Sequence, residues 1–297
     1  MRTTLHCFLL LLTLGCPAGA GIDDPTSNQG PGGTVSSGPP GNSGAGASTA
    51  SFNDPTGGSA GGPPTSEPKT CEEAAAAKSY VGCEFWPTVT ANGVWEVFDF
   101  AVVVANTGEV EVEVTVDRGG SLFASESIPV NGLATIYLPW ITELKGPEVD
   151  SRGGVGAITQ SMRVPNGAYH LSSSHPVTVY QFNALEYAPR EGRLEKTGHS
   201  VQPCCPVGPM ECFSCTNDAS LLLPATAQTG NFRVPGYYAV QAGNQGAFMS
   251  MTGFEDGTEV NVALGPAAQS LAGPGIGSAG FGGQLTLSLN RARSSRL

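Results

Sequence analysis

The stretch Glu109-Val110-Glu111-Val112-Glu113-Val114-Thr115-Val116 alternates polar and apolar side chains at every step. Successive strand side chains point to opposite faces, so the valines form a dry face and the glutamates a wet one. That is the pattern of an antiparallel strand lying over a core. Just upstream, residues 94–105 are apolar on both faces beyond Val97, which predicts a central strand. The turn Asn106-Thr107-Gly108 between the two predicts a hairpin.

The same period continues downstream. Strands are predicted at 122–130, 134–140, 168–172, 177–187, 247–252, 258–264 and 284–289, separated by Gly, Asn and Pro. Many short strands with turn signals between them predict an all-β fold, arranged as two antiparallel β-sandwich-like units. One short helix should precede them at 71–78, where Thr70 is an N-cap, Glu73 completes a capping box and alanines follow.

The N-terminal part has another character. Met1-Arg2 and the short apolar run Phe8-Leu9-Leu10-Leu11-Leu12 predict a signal peptide rather than a membrane-spanning helix. Leu12-Thr13-Leu14-Gly15-Cys16 resembles a bacterial lipobox, which makes Cys16 the expected lipidation site and residues 1–16 the leader. An ordinary secretory cleavage near Ala18-Gly19-Ala20 is the alternative. Both routes export the chain, to the outer membrane or cell surface as a lipoprotein and otherwise as a secreted protein. Residues 17–69 are dominated by Gly, Ser, Pro, Thr, Ala and Asn, and are expected to form a disordered linker that holds the folded part away from the membrane. The membrane would be touched through the lipid anchor alone. With a net charge of −11 there is no cationic footprint for nucleic acid.

The blocks Ser79-Tyr80-Val81-Gly82-Cys83-Glu84-Phe85-Trp86-Pro87 and Val94-Trp95-Glu96-Val97-Phe98-Asp99-Phe100 are followed in order by four more. These are Ala134-Thr135-Ile136-Tyr137-Leu138-Pro139-Trp140, Ala168-Tyr169-His170-Leu171-Ser172 with Pro176-Val177-Thr178-Val179-Tyr180, Asn217-Asp218-Ala219-Ser220-Leu221, and Phe254-Glu255-Asp256-Gly257-Thr258. Together they resemble the IgGFc-binding protein N-terminal domain, as found in predicted lipoproteins of myxobacteria and related bacteria, over residues 70–289. The resemblance implies extracellular presentation and adhesion, not chemistry, and carries no antibody-contacting residue. After Leu289 the family pattern stops, and residues 290–297 look like an atypical, truncated tail.

Cysteine usage fits an oxidising compartment. Cys71 and Cys83 are expected to bridge the helix to the first strand, and Cys204, Cys205, Cys212 and Cys215 to form two further disulfides of open connectivity. The spacing of that cluster is poor for a structural zinc site, so no metal or other cofactor is expected. His170, His175 and His199 belong to no catalytic motif and read as core or surface residues. Asp99, Glu186 and Asp218 include no evident acid–base pair. Asp218 and the Glu255-Asp256-Gly257 turn admit a calcium site, though Asp-Gly explains the turn by itself. Among the aromatic residues Trp86 and the Tyr237-Tyr238 pair are the binding candidates, because each adjoins a Pro or Gly. The expected function is therefore non-catalytic: a surface lipoprotein whose β domain binds an extracellular glycan or protein. The alternatives are an extracellular hydrolase of polysaccharide or peptide, and a structural envelope component.

Overall fold

The computed structural model describes residues 67–147, 156–188, 190, 214, 218–235 and 246–297. All of them belong to one compact unit, Gly62–Leu297. Cys16, Cys204, Cys205, Cys212, Cys215, His199, Tyr237 and Tyr238 lie outside the described residues, as do the leader and most of the linker.

The described chain opens with helix α1 (Cys71–Ala77), and its capping box forms as the residues dictate. Thr70 accepts from the Glu73 amide while the Glu73 carboxylate reaches back to the Thr70 amide. The Cys71–Cys83 disulfide then fastens α1 to strand β1 (Gly82–Phe85). The rest is antiparallel β-structure, as the alternation predicts. A seven-stranded sheet contains β1, β2 (Phe100–Ala105), β3 (Val112–Arg118), β4 (Ser121–Ile128), β5 (Leu133–Leu138), β7 (His170–Asn183) and β8 (Ala219–Leu221). A three-stranded sheet has the order β6 (Met162–Val164), β12 (Ser294–Arg296), β9 (Ser250–Thr252). Strands β10 (Thr258–Ala263) and β11 (Gln284–Leu289) pair with each other. A one-turn helix, α2 (Thr142–Lys145), follows β5.

The 14-residue β7 organises the large sheet. Its first half pairs with β3 and β1, and its second half with β2 and β8. Val112, Val114 and Val116 of β3 are buried as the alternation requires, and they pack in one core with Phe100, Val102, Val104, Leu171, Val177 and Val179. On the same face of β7 two buried amides interrupt the apolar rows. Gln181 Oε1 accepts from the Thr88 amide at 3.0 Å, and Asn183 Oδ1 accepts from the Thr90 amide at 3.2 Å. These bonds lay the extended segment after β1 across the sheet and offset the cost of burying both side chains. Thr88 Oγ1 continues to Thr252 Oγ1, and that to Ser294 Oγ, each at 2.9 Å, which ties the three-stranded sheet to the same segment.

Three expectations are corrected. The strand predicted at 94–105 begins only at Phe100: Val94, Trp95, Val97 and Phe98 instead form a separate buried cluster around a turn in which the Phe98 amide bonds the Trp95 carbonyl. Second, β2 and β3 do not form a hairpin: each pairs with a different half of β7, and both edges of β2 are taken, by β7 and β5. A strand apolar on both faces gains most at the centre of a sheet, whereas β3 finds its local partner β4 through the shorter Gly119-Gly120 loop. Third, residues 290–297, expected as an atypical tail, contribute regular structure: Ser294, Ser295 and Arg296 form the buried central strand β12. Hydrogen bonds on both edges, not intrinsic propensity, place them there.

Asn106 replaces the expected hairpin turn with a knot of bonds. Its Nδ2 donates to the carbonyls of Val110, Ile128 and Pro129, and its Oδ1 accepts from the Gly108 amide. One buried side chain thus joins the ends of β2, β3 and β4. Asn106→Ala orphans these groups and should cost about 2–4 kcal/mol of unfolding free energy, measurable by denaturant titration.

Candidate functional site

The β3–β4 hairpin ends in a two-residue loop, Gly119-Gly120, with Arg118 paired to Ser121 across it. Both glycines have positive φ, +57° and +81°, the requirement of a tight primed turn. The turn carries Asp117 and Arg118 to the rim of a cleft of about 310 Å³. Its other walls are Trp86, from the end of β1, the Asn166–His170 segment and Arg291, from the turn that precedes β12.

His170 is the centre of the polar wall. Its Nδ1 lies 3.1 Å from Asp117 Oδ2 and its Nε2 3.2 Å from Glu84 Oε1. Glu84 Oε1 also accepts from Arg291 Nη2 at 3.3 Å. The imidazole lies against Trp86, ring centres 4.6 Å apart, while the Arg291 guanidinium sits 5.3 Å from the same indole. Asp256 Oδ1 accepts from the Arg291 backbone amide at 3.0 Å and so fixes the turn that presents that arginine. Arg118 is held differently: its Nε donates to the Asn166 carbonyl at 2.8 Å, and its guanidinium lies 5.7 Å from the Tyr169 ring centre.

A second ionic group gathers just ahead of β2. Asp99, buried just before that strand, accepts from Arg190 Nε at 2.7 Å, with Glu186 3.7 Å from the same nitrogen. The Arg190 guanidinium stacks 3.5 Å from the ring centre of Tyr137. Loss of solvent and the adjacent Glu186 carboxylate push the Tyr137 phenol up to about 12, against the pull of Arg190. Here two carboxylates that the sequence singled out do converge, but on an arginine rather than on an open face.

Other candidates have local roles. Trp95 is buried in the small cluster, and Trp140 donates from Nε1 to the Phe98 carbonyl at 2.7 Å, joining that cluster to the main core. Tyr180 stands exposed on β7, and His175 lies on the same strand with Nδ1 3.3 Å from Ser174 Oγ. The Asp218 carbonyl accepts from the Asn183 amide at the start of β8. Among the described residues no group of three or more His, Cys, Asp or Glu side chains could hold a metal ion. No protein-family model, curated protein or solved structure matches the chain.

Sequence reasoning named Trp86, which lines this cleft, but left His170 in the core or on the surface, and it did not single out Asp117, Arg118, Asn166 or Arg291. The available signal was Asp117-Arg118-Gly119-Gly120: charges that end a clear alternating strand immediately before a primed-turn Gly-Gly pair.

Gly119 is needed twice over, since a Cβ there would come within 2.6 Å of the Asn166 side chain in a left-handed backbone. At Gly120 a Cβ meets nothing within 4 Å. Gly120→Ala should therefore cost about 1 kcal/mol and Gly119→Ala about 2 kcal/mol or more in thermal or chemical unfolding. At Tyr137 the folded-state value lies above the ordinary 10.0, so the unfolded chain releases its proton first. The resulting stability is complete below pH 10 and is lost as pH rises to about 12. Unfolding curves across that window should fall more steeply for the native chain than for Tyr137→Phe.

Proposed function

We propose that this chain is an exported, lipid-anchored surface protein whose β domain binds an extracellular glycan or protein without transforming it. The observation that carries this reading is the state of the cleft: its histidine has both ring nitrogens on carboxylates, and one of these, Glu84, also holds Arg291. With both nitrogens held, the imidazole has none free to take a substrate proton. A binding surface needs side chains locked in place before the ligand arrives. The clamp of Glu84, Asp117 and His170 on strands of one sheet supplies that rigidity.

The lipobox-like Leu14-Gly15-Cys16 and the Gly/Ser/Pro-rich residues 17–69 support display at a distance from a membrane, and the resemblance of residues 70–289 to the IgGFc-binding protein N-terminal domain supports adhesion. A structural envelope role is the second reading. It is favoured by Leu122 on β4 and Leu133 on β5, which are 65% and 71% exposed and would be covered by self-association.

The test is intact mass and thiol count on the full chain extracted in detergent from its native envelope, followed by binding to arrays of extracellular glycans and envelope proteins. A mature chain starting at acylated Cys16, without free thiols, and saturable binding without turnover are expected. Cleavage of polysaccharide or peptide would establish the hydrolase instead. Self-association with no foreign ligand would establish the structural component.

A further inference from the structure

We infer that the cleft takes one carboxylate-bearing sugar ring, a uronate of an acidic polysaccharide, with Arg118 clamping the carboxylate; this deepens the binding reading and rests on it. The argument turns on which cleft groups are already spent. Glu84 is divided between His170 and Arg291, and one oxygen of Asp117 is taken by His170. Arg118 is in another condition. Its partners are neutral, the Asn166 carbonyl and the Tyr169 side chain, and among the described residues it is in no ion pair. It is half-buried, so its charge faces the cleft without the full screening of open solvent.

An unneutralised guanidinium at a cleft of a chain carrying a net charge of −11 selects for an anion, and its planar fork matches a carboxylate in two parallel bonds. Phosphate would satisfy the same fork. The rest of the wall favours a sugar. The exposed Asn166 side-chain amide offers a donor and an acceptor, and the second oxygen of Asp117 offers an acceptor, which together suit vicinal hydroxyls. Trp86 adds apolar surface against which a sugar ring can pack. A volume of about 310 Å³ lies at the small end of ligand sites and admits a single ring rather than a folded peptide segment.

The experiment titrates the full detergent-purified chain with a galacturonate trisaccharide, the neutral galactose trisaccharide of the same linkage, an aspartate-rich peptide and inorganic phosphate, read by calorimetry and tryptophan fluorescence. The galacturonate trisaccharide should bind at least about tenfold more tightly than the other three, and Arg118→Gln should remove about tenfold of that affinity. Arg118→Lys, which keeps the charge and the fold but not the fork, should recover part of the loss. Equal binding of the acidic and neutral sugars, equal or tighter binding of phosphate or peptide, or an Arg118→Gln variant with undiminished affinity and an unchanged melting temperature overturns the inference. In each of those cases the broader binding reading survives if an array ligand still binds. It falls together with the inference only when no ligand saturates the chain or when the trisaccharide is hydrolysed.

Discussion

Strand β7 is hydrogen-bonded along both edges, and nearly every other feature depends on that arrangement. The β3–β4 hairpin and the β2–β5 pair are separate antiparallel units, each hydrogen-bonded to a different half of this strand. Pro176, which has no amide hydrogen to donate, falls in the short gap where the partnership passes from β3 to β2. The break in pairing is therefore written into the strand at the position where it does least harm. His170 heads β7 and Asn183 closes it, so the ends of one strand set both the cleft and the buried amide that anchors the segment after β1.

The two ionic groups of the molecule divide the work of arginine differently. Arg190 pairs with a buried carboxylate and stacks on Tyr137. Removing a partner from such a pair leaves a charge without solvent, which makes it a fastening rather than a place to receive ligand. At the cleft the histidine absorbs the carboxylates, and the adjacent arginine is left uncommitted to any of them.

Local chemistry made part of this legible before any coordinates. Thr70 with Glu73, the valines of β3 and the alternation of β11 are patterns whose physics is contained within a few residues, and α1, β3 and β11 formed within three residues of their expected ends. The failures are non-local. Whether β2 pairs with β3 or with β7 is decided by which edges a distant strand leaves open, and Ser294-Ser295-Arg296 has no strand-forming character until β6 and β9 flank it. The cleft is the extreme case, since Trp86, Arg118, His170 and Arg291 approach one another from four separate segments of chain. Only its turn, Gly119-Gly120, leaves a local trace. Trp86 was singled out for lying beside a proline, and it does line the cleft, but as a buried wall held between His170 and Phe254 rather than as an exposed platform.

The Cys71–Cys83 bridge also has a mechanical meaning. A pull on the chain ahead of Thr70 cannot unwind α1 and pay out its length, because the covalent link shunts the load past the helix directly into β1. From β1 the force passes to β7, which has the most neighbours among the described strands, and spreads to three others at once. A domain held from that end in flowing liquid would strain as a whole sheet instead of fraying from its first residues.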